Sequence, residues 1–216
     1  MQPLDLLDGR RIGGMQTRRE DRSKGSYDAE TVARAAFELF LRHGYNVTSL
    51  DQIAAALNVS KAAIYYHHAG KEAILSYGVN QALGALEGVL QEAPALRGQA
   101  SPLQRFEYVL RRTLEIGMSH LPQVAVLLRL QGNTDLERDV IKRRRAIDRA
   151  AADILEEAIA AGELPEHSDA LLLSRLTMGL ANSLVEWYRP DNRRSTAEVI
   201  ETTLRFAMSG LRRGAF

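Results

Sequence analysis

Between Val59 and Lys71 the chain reads VSKAAIYYHHAGK, placing two tyrosines beside two histidines with Lys61 near one end and Lys71 at the other. Side chains of these kinds can ligate a metal, move protons or donate to an anion. Metal ligation is the weakest reading, because His67 and His68 would diverge by about 100° on a helix. No Glu-x-x-His or His-Glu-x-x-His partner accompanies them, so no metal ligand is assigned. Covalent and nucleotide chemistry find no footing elsewhere. The chain has no cysteine, and no Gly-x-Ser-x-Gly, Gly-x-Gly-x-x-Gly or Walker A pattern. Glu156-Glu157 and Glu163 with Glu166-His167 fall on polar helix faces or at a proline-containing loop. No catalytic residue and no cofactor is assigned. Recognition of an anionic partner remains.

The elements around this stretch say which anion. Val32, Ala35, Ala36, Leu39 and Phe40 recur at helical spacing, with Asp28 near the start and Gly44 at the stop. Thr48 and Ser49 offer hydroxyl caps to a second, shorter helix carrying Leu50, Ile53, Ala54 and Leu57. Asn58 tolerates a left-handed turn, Val59 plugs it, and Ser60 caps a third helix from Lys61 to about His67. Two short helices joined by so tight a turn make a helix-turn-helix, whose second helix enters the major groove of DNA. Ile64 then faces inward with Val59, while Lys61, Ala62 and Tyr66 point out. Lys61 can meet a guanine edge or a phosphate, Ala62 a thymine methyl, and the tyrosine hydroxyls and His67 phosphate oxygens. Lys71 adds a cation at the next helix start.

The run YNVTSLDQIAAALNVSKAAIYYHHAGKEAIL, from Tyr45 to Leu75, resembles the DNA-binding domain of TetR-type transcriptional regulators. The motif combines a threonine-rich cap, I-A-x-x-x-x-V-S, Y-x-H and G-K-E at fixed spacing. The resemblance implies DNA contacts by Thr48, Ser60, Lys61, Tyr65, Tyr66, His67 and Lys71. It also implies a homodimer on a pseudo-palindromic operator, with repression relieved by a small-molecule effector. Two positions depart from the pattern: Asn58 stands where the family usually has glycine, and His68 where it has phenylalanine. The second puts a polar ring at a position expected to pack.

The rest of the chain reads as helices over about 71–91, 102–120, 122–132, 135–161, 168–189 and 196–212, and no stretch alternates as a strand does. The expected fold is therefore all-α with about nine helices: a flexible arm over 1–26, a three-helix head over 27–72, and an effector-binding and dimerisation domain over 73–216. Arg18, Arg19 and Arg22 of the arm are candidate backbone or minor-groove contacts. Lys142-Arg143-Arg144-Arg145 reads as a solvated helix face, the alternative being a site for an anionic ligand such as a phosphate-bearing thioester. Phe106, Tyr108, Met118, His120, Leu127, Met178 and Trp187 are candidate effector contacts, and EWYRP (Glu186 to Pro190) resembles family members that respond to acyl-CoA or steroid-derived thioesters. By the resemblance the last two helices form the dimer interface, with Leu180, Leu184, Val199, Leu204 and Phe206 as its contacts.

With 28 Lys and Arg against 27 Asp and Glu the chain is nearly neutral, so its hold on a polyanion must come from placement and not bulk charge. The N-terminal residues form neither a signal peptide nor a membrane span, and a cytoplasmic location is expected. An all-helical enzyme and a protein-interaction module are the two competing classes.

Overall fold

The computed structural model describes residues 27–189 and 194–213. Among these, nine α-helices and no strand are found: α1 (Ala29–His43), α2 (Leu50–Leu57), α3 (Lys61–His67), α4 (Lys71–Glu92), α5 (Pro102–Ser119), α6 (Leu121–Arg129), α7 (Asp135–Ala160), α8 (Ala170–Trp187) and α9 (Thr196–Arg213). A single 3-10 turn, Ala93–Leu96, follows α4. The helix starts follow from their caps. Asp28 accepts from Thr31 N, and Ser49 and Ser101 each build a reciprocal capping box with the glutamine three residues on. The arm residues Arg18, Arg19 and Arg22, and Pro190, lie outside the described residues.

Two apolar clusters organise the molecule. One joins α5, α7, α8 and α9 around Phe106, Leu110 and Leu155. The other is built on Phe37, Phe40, Ile53, Ile64 and Ile74 of α1 to α4, and it also takes in Val124 to Leu127 of α6, Val140 of α7 and Val185 of α8. At its centre α4 approaches α1 so closely that a Cβ on Gly78 would lie 2.2 Å from Cε2 of Phe37, a ring with no exposed surface.

Polar ties fix how α4 and α7 run against their neighbours. Arg143 donates to both carboxylate oxygens of Glu87 on α4 at 2.8 Å and to Asn80 Oδ1 at 2.5 Å. This bidentate bond holds the Glu87 carboxyl below its ordinary pKa. Arg144 is half-buried. The basic run is thus a solvated face only at Lys142 and Arg145, because its middle two residues turn inward and brace α7 on α4 and α6. Glu137 is buried, and its Oε2 accepts from three successive backbone N–H groups, those of Gln131, Gly132 and Asn133, closing the α6–α7 loop.

Arg105 of α5 is 3% exposed, bonds Glu157 of α7, and leaves its Nε unpaired. The Arg105 and Arg97 guanidiniums hold the Glu157 carboxyl below its ordinary 4.5, so this contribution to stability is complete above that value and fades as pH falls through the folded-state pKa. Glu157→Gln weakens the pairing of the buried Arg105 and, with the Glu157 side chain partly open to solvent, should cost about 1–2 kcal/mol at neutral pH. Urea melts at pH 7 and pH 3.5 check this: the gap between wild type and variant should narrow at the lower pH.

Candidate nucleic-acid interface

The turn that carries α3 is built from backbone geometry. Asn58 adopts a left-handed conformation (φ 55°, ψ 43°) and its N–H closes α2 on Ala54 and Ala55. This is the role expected of it, and its side-chain amide stabilises such a conformation better than most residues would. Ser60 accepts from Ala63 N and so caps α3, leaving its own O–H to donate. Tyr27 ties the start of α1 to the end of α2, donating to the Leu57 carbonyl at 2.9 Å.

From that frame α3 divides cleanly. Ile64 is fully buried, whereas Lys61, Ala62, Tyr65 and Tyr66 face solvent, Tyr66 with 86% of its surface exposed. His67 is half-buried, with its ring edge-on to that of Tyr66 at a centroid separation of 5.0 Å. An 86% exposed tyrosine on a helix of seven residues contributes little to the fold. Together these side chains make a ridge of donors and one methyl, the groups that base edges and phosphates accept.

Two of the expected DNA contacts are engaged elsewhere. Thr48 is 2% exposed, and its hydroxyl donates to the Gly44 carbonyl at 2.8 Å. Ser49, one residue on, is the actual cap of α2. Lys71 donates to the carbonyls of Tyr45, Asn46 and Thr48 at 2.8, 3.1 and 3.0 Å, and its ammonium sits 4.6 Å from the Tyr45 ring centroid. An ammonium has three N–H donors, and here all three are committed to closing the α1–α2 turn. Partial burial accordingly lowers its pKa. Lys71→Ala should therefore destabilise the head by about 1–2 kcal/mol while leaving the salt dependence of DNA binding unchanged. Thermal melts beside a salt titration check this; a slope reduced by about one, with melting unaltered, would restore the phosphate role.

His68 does pack. It is 6% exposed, its Nε2 lies 2.8 Å from the Ala29 carbonyl, and its ring meets Tyr77 edge-on. The hydrogen therefore resides on Nε2, which donates, and the imidazole replaces an apolar ring by bonding the first turn of α1. This bond could not be read from spacing, since 39 residues separate the partners. Among the described residues no group of three or more His, Asp or Glu could hold a metal ion.

The candidate effector contacts do not line one cavity. Phe106 and Met178 belong to the α5–α9 core and Leu127 to the other cluster. Tyr108 packs at the edge of the first core with its hydroxyl donating to Glu92, and Met118 and His120 edge different grooves. Trp187, 58% exposed, lies in an open groove of about 830 Å³ between α8 and α9, with Leu180, Leu184 and Phe206. Of the expected dimer contacts, Leu184, Val199 and Leu204 are buried within the chain at 2, 7 and 2% exposure. Helical periodicity alone did not show which apolar face of α8 and α9 serves the chain's own core. Among the described residues of α8 and α9, the large apolar side chains left more than half exposed are Leu172, Leu176, Trp187 and Phe206.

Comparison with known proteins gives this arrangement a family. Residues 32–77 match the family described as bacterial regulatory proteins, tetR family, and residues 99–211 the one described as tetracyclin repressor-like, C-terminal domain. The chain is 23% identical over 183 residues to the fatty acid metabolism regulator protein of Bacillus subtilis, covering 83% of this chain and 93% of that one. It is 38% identical to SCO3833, a member of the TetR transcriptional regulator family from Streptomyces coelicolor, with a TM-score of 0.75 over 87% of this chain and 94% of that one. The crystal structure of AibR in complex with isovaleryl coenzyme A and operator DNA shares the fold at 20% identity, with a TM-score of 0.69 over 82% of this chain and 96% of that one. With its head and body both matched, and a helix-turn-helix whose second helix bares its polar side chains, the chain belongs to the TetR family of DNA-binding transcriptional regulators.

Proposed function

We propose that the protein is a homodimeric repressor acting in the cytoplasm, which holds a pseudo-palindromic operator and releases it when a hydrophobic small molecule of the acyl-CoA kind enters the body. It is a binding protein and not an enzyme. In this reading residues 27–72 are the head and 73–216 the effector-binding and dimerisation part. Ser60, Lys61, Ala62, Tyr65, Tyr66 and His67 carry the DNA contacts. The observation that supports it most directly is the bare face of α3: a lysine and two tyrosines held out by a helix whose inward residue, Ile64, has no exposed surface. Neither tyrosine enters the apolar cluster of the head, and Lys61 meets only the exposed Asp51.

The effector class is supported by the names of two relatives, one a regulator of fatty acid metabolism and one crystallised with isovaleryl coenzyme A. Phe106 and Met178 are close-packed here, so a ligand between α5, α7 and α8 must select a body in which they part. α4 carries that change to the head, because it enters both apolar clusters and is pinned to α7 by Arg143. Release needs only a differential affinity of about 1–3 kcal/mol between the two conformations.

Selection of bound sequences from a random duplex pool, followed by titration of the recovered operator with acyl-CoA thioesters of increasing chain length, tests the reading. The expected result is an inverted repeat, and release by a subset of the thioesters over a roughly 5- to 150-fold range of affinity. Equal affinity for selected and random duplex would point instead to an interaction module, and turnover of any thioester to an enzyme.

A further inference from the structure

On the outer side of the helix-turn-helix, Nζ of Lys61 lies 3.0 Å from Oδ2 of Asp51. The pair joins the first turn of α2 to the first turn of α3, and both side chains are open to solvent, 46% and 71% exposed. A carboxylate is an unexpected group on a surface that must approach a polyanion. It takes no part in the cap of α2, which Ser49 and Gln52 complete between them. Ala62, next to Lys61, is exposed and presents only a methyl.

The couple has a definite hydrogen-bonding signature. Lysine offers three donors and no acceptor, aspartate only acceptors. In the major groove a G·C pair presents two acceptors, guanine N7 and O6, beside one donor, the cytosine N4 amine. We propose that Asp51 and Lys61 form one base-reading unit: Lys61 donates to guanine O6 and N7 while Asp51 accepts from a cytosine N4 amine in the same or the adjoining pair. This rests on α3 being the recognition helix. Lys61 needs to give up nothing to do it, since one N–H stays on Asp51 while the other two turn to the guanine. Where the amine is absent, the Asp51 oxygen that Lys61 does not engage is left without a donor among phosphates, and the mismatch is penalised. Asp51 therefore adds discrimination at the expense of general affinity. An exposed ion pair is weak enough to re-form in whatever geometry the bases require.

The competing role for Asp51 is purely structural, an acid in the first turn of α2 that complements the helix dipole. Sequence preference separates the two. Wild type, Asp51→Asn, Asp51→Ala, Lys61→Ala and the Asp51→Ala, Lys61→Ala double variant are passed through the same random-duplex selection. Their affinities for the selected and random duplexes are then measured at several salt concentrations, with thermal melts to confirm folding. The expected result is a required G·C pair in each wild-type half-site whose preference falls about tenfold in each alanine variant and less in Asp51→Asn, whose amide oxygen still accepts. Asp51→Asn and Asp51→Ala should bind random duplex more tightly than wild type, and the two single losses should not add in the double variant. Unchanged preference at that pair in the Asp51 variants, or additive losses in the double variant, overturns the proposal and leaves Asp51 a helix-dipole residue. A wild type that selects no sequence overturns something earlier, the assignment of α3 to the groove, and is recognised because no half-site emerges at all.

Discussion

A chain carrying Leu176→Glu and Phe206→Glu is expected to remain folded, sediment as a single subunit and bind its operator at least about 100-fold more weakly than wild type. Both positions are exposed in the isolated chain, 56% and 72%, so neither change leaves a cavity or strands a charge in the subunit's own core. In a dimer joined through α8 and α9 the same residues would be covered, and each glutamate would be desolvated without a cation reserved for it. Truncation of a single interface anchor commonly costs about 2 kcal/mol or more, and an unpaired buried charge costs more. Two changes per subunit act twice across a symmetric interface. Because a two-fold operator is gripped through two heads at fixed spacing, loss of pairing removes one head's contacts from every binding event. Sedimentation and operator titration measure the two effects separately. A variant that stays dimeric would show that other surfaces join the subunits.

Gly78→Val should lower stability by about 3 kcal/mol and abolish the cooperative fold of the head before that of the body. Glycine in a helix interior is a local disadvantage of about 0.5–1 kcal/mol relative to alanine. Its presence in α4 is explained by Phe37, whose ring occupies the space a side chain would need, with three ring atoms within 3.0 Å of the missing Cβ. Phe37 is itself fully buried against Phe40 at a centroid distance of 5.5 Å, so it has nowhere to retreat. Overpacking a site of this kind costs about 1–3 kcal/mol for added methylenes in better circumstances. Chemical denaturation followed by far-UV and tyrosine signals gives the magnitude. A variant as stable as wild type would mean that α1 and α4 can separate without loss.

The elements of this fold were largely legible from sequence because local signals agree: apolar spacing, hydroxyl caps and left-handed stops mark the same boundaries. Asn58 and Ser60 illustrate it, each doing in the structure what its chemistry suggests at that position. The face of α3 was legible for the same reason, since one buried isoleucine on a short helix determines where every other side chain points. What sequence could not supply was the partner of each polar tip. Thr48 and Lys71 have the chemistry of phosphate ligands, but the carbonyls they bond are 4 and 23 to 26 residues away, and only the folded turn brings these groups together. Asp51, ten residues from Lys61, was missed likewise. The body posed a different difficulty. α8 is apolar on more than one side, so periodicity could not divide Leu184, which serves the core, from Leu176, which does not. Of the expected effector contacts, Phe106, Leu127 and Met178 are packed in the two cores, because aromatic and thioether side chains at helical spacing also serve to fill interiors.

The cluster that draws residues from α1 to α4 together with Val124 to Leu127, Val140 and Val185 bears on how such regulators can be recombined. A chimera that grafts a foreign reader onto this chain at residue 72 would leave the transplanted piece with raw apolar surface where α6 belongs, and would leave the recipient's valines facing a stranger's contour. Successful exchange of specificity should therefore come from rewriting the few solvent-facing positions of α2 and α3 in place, not from cutting and splicing whole modules.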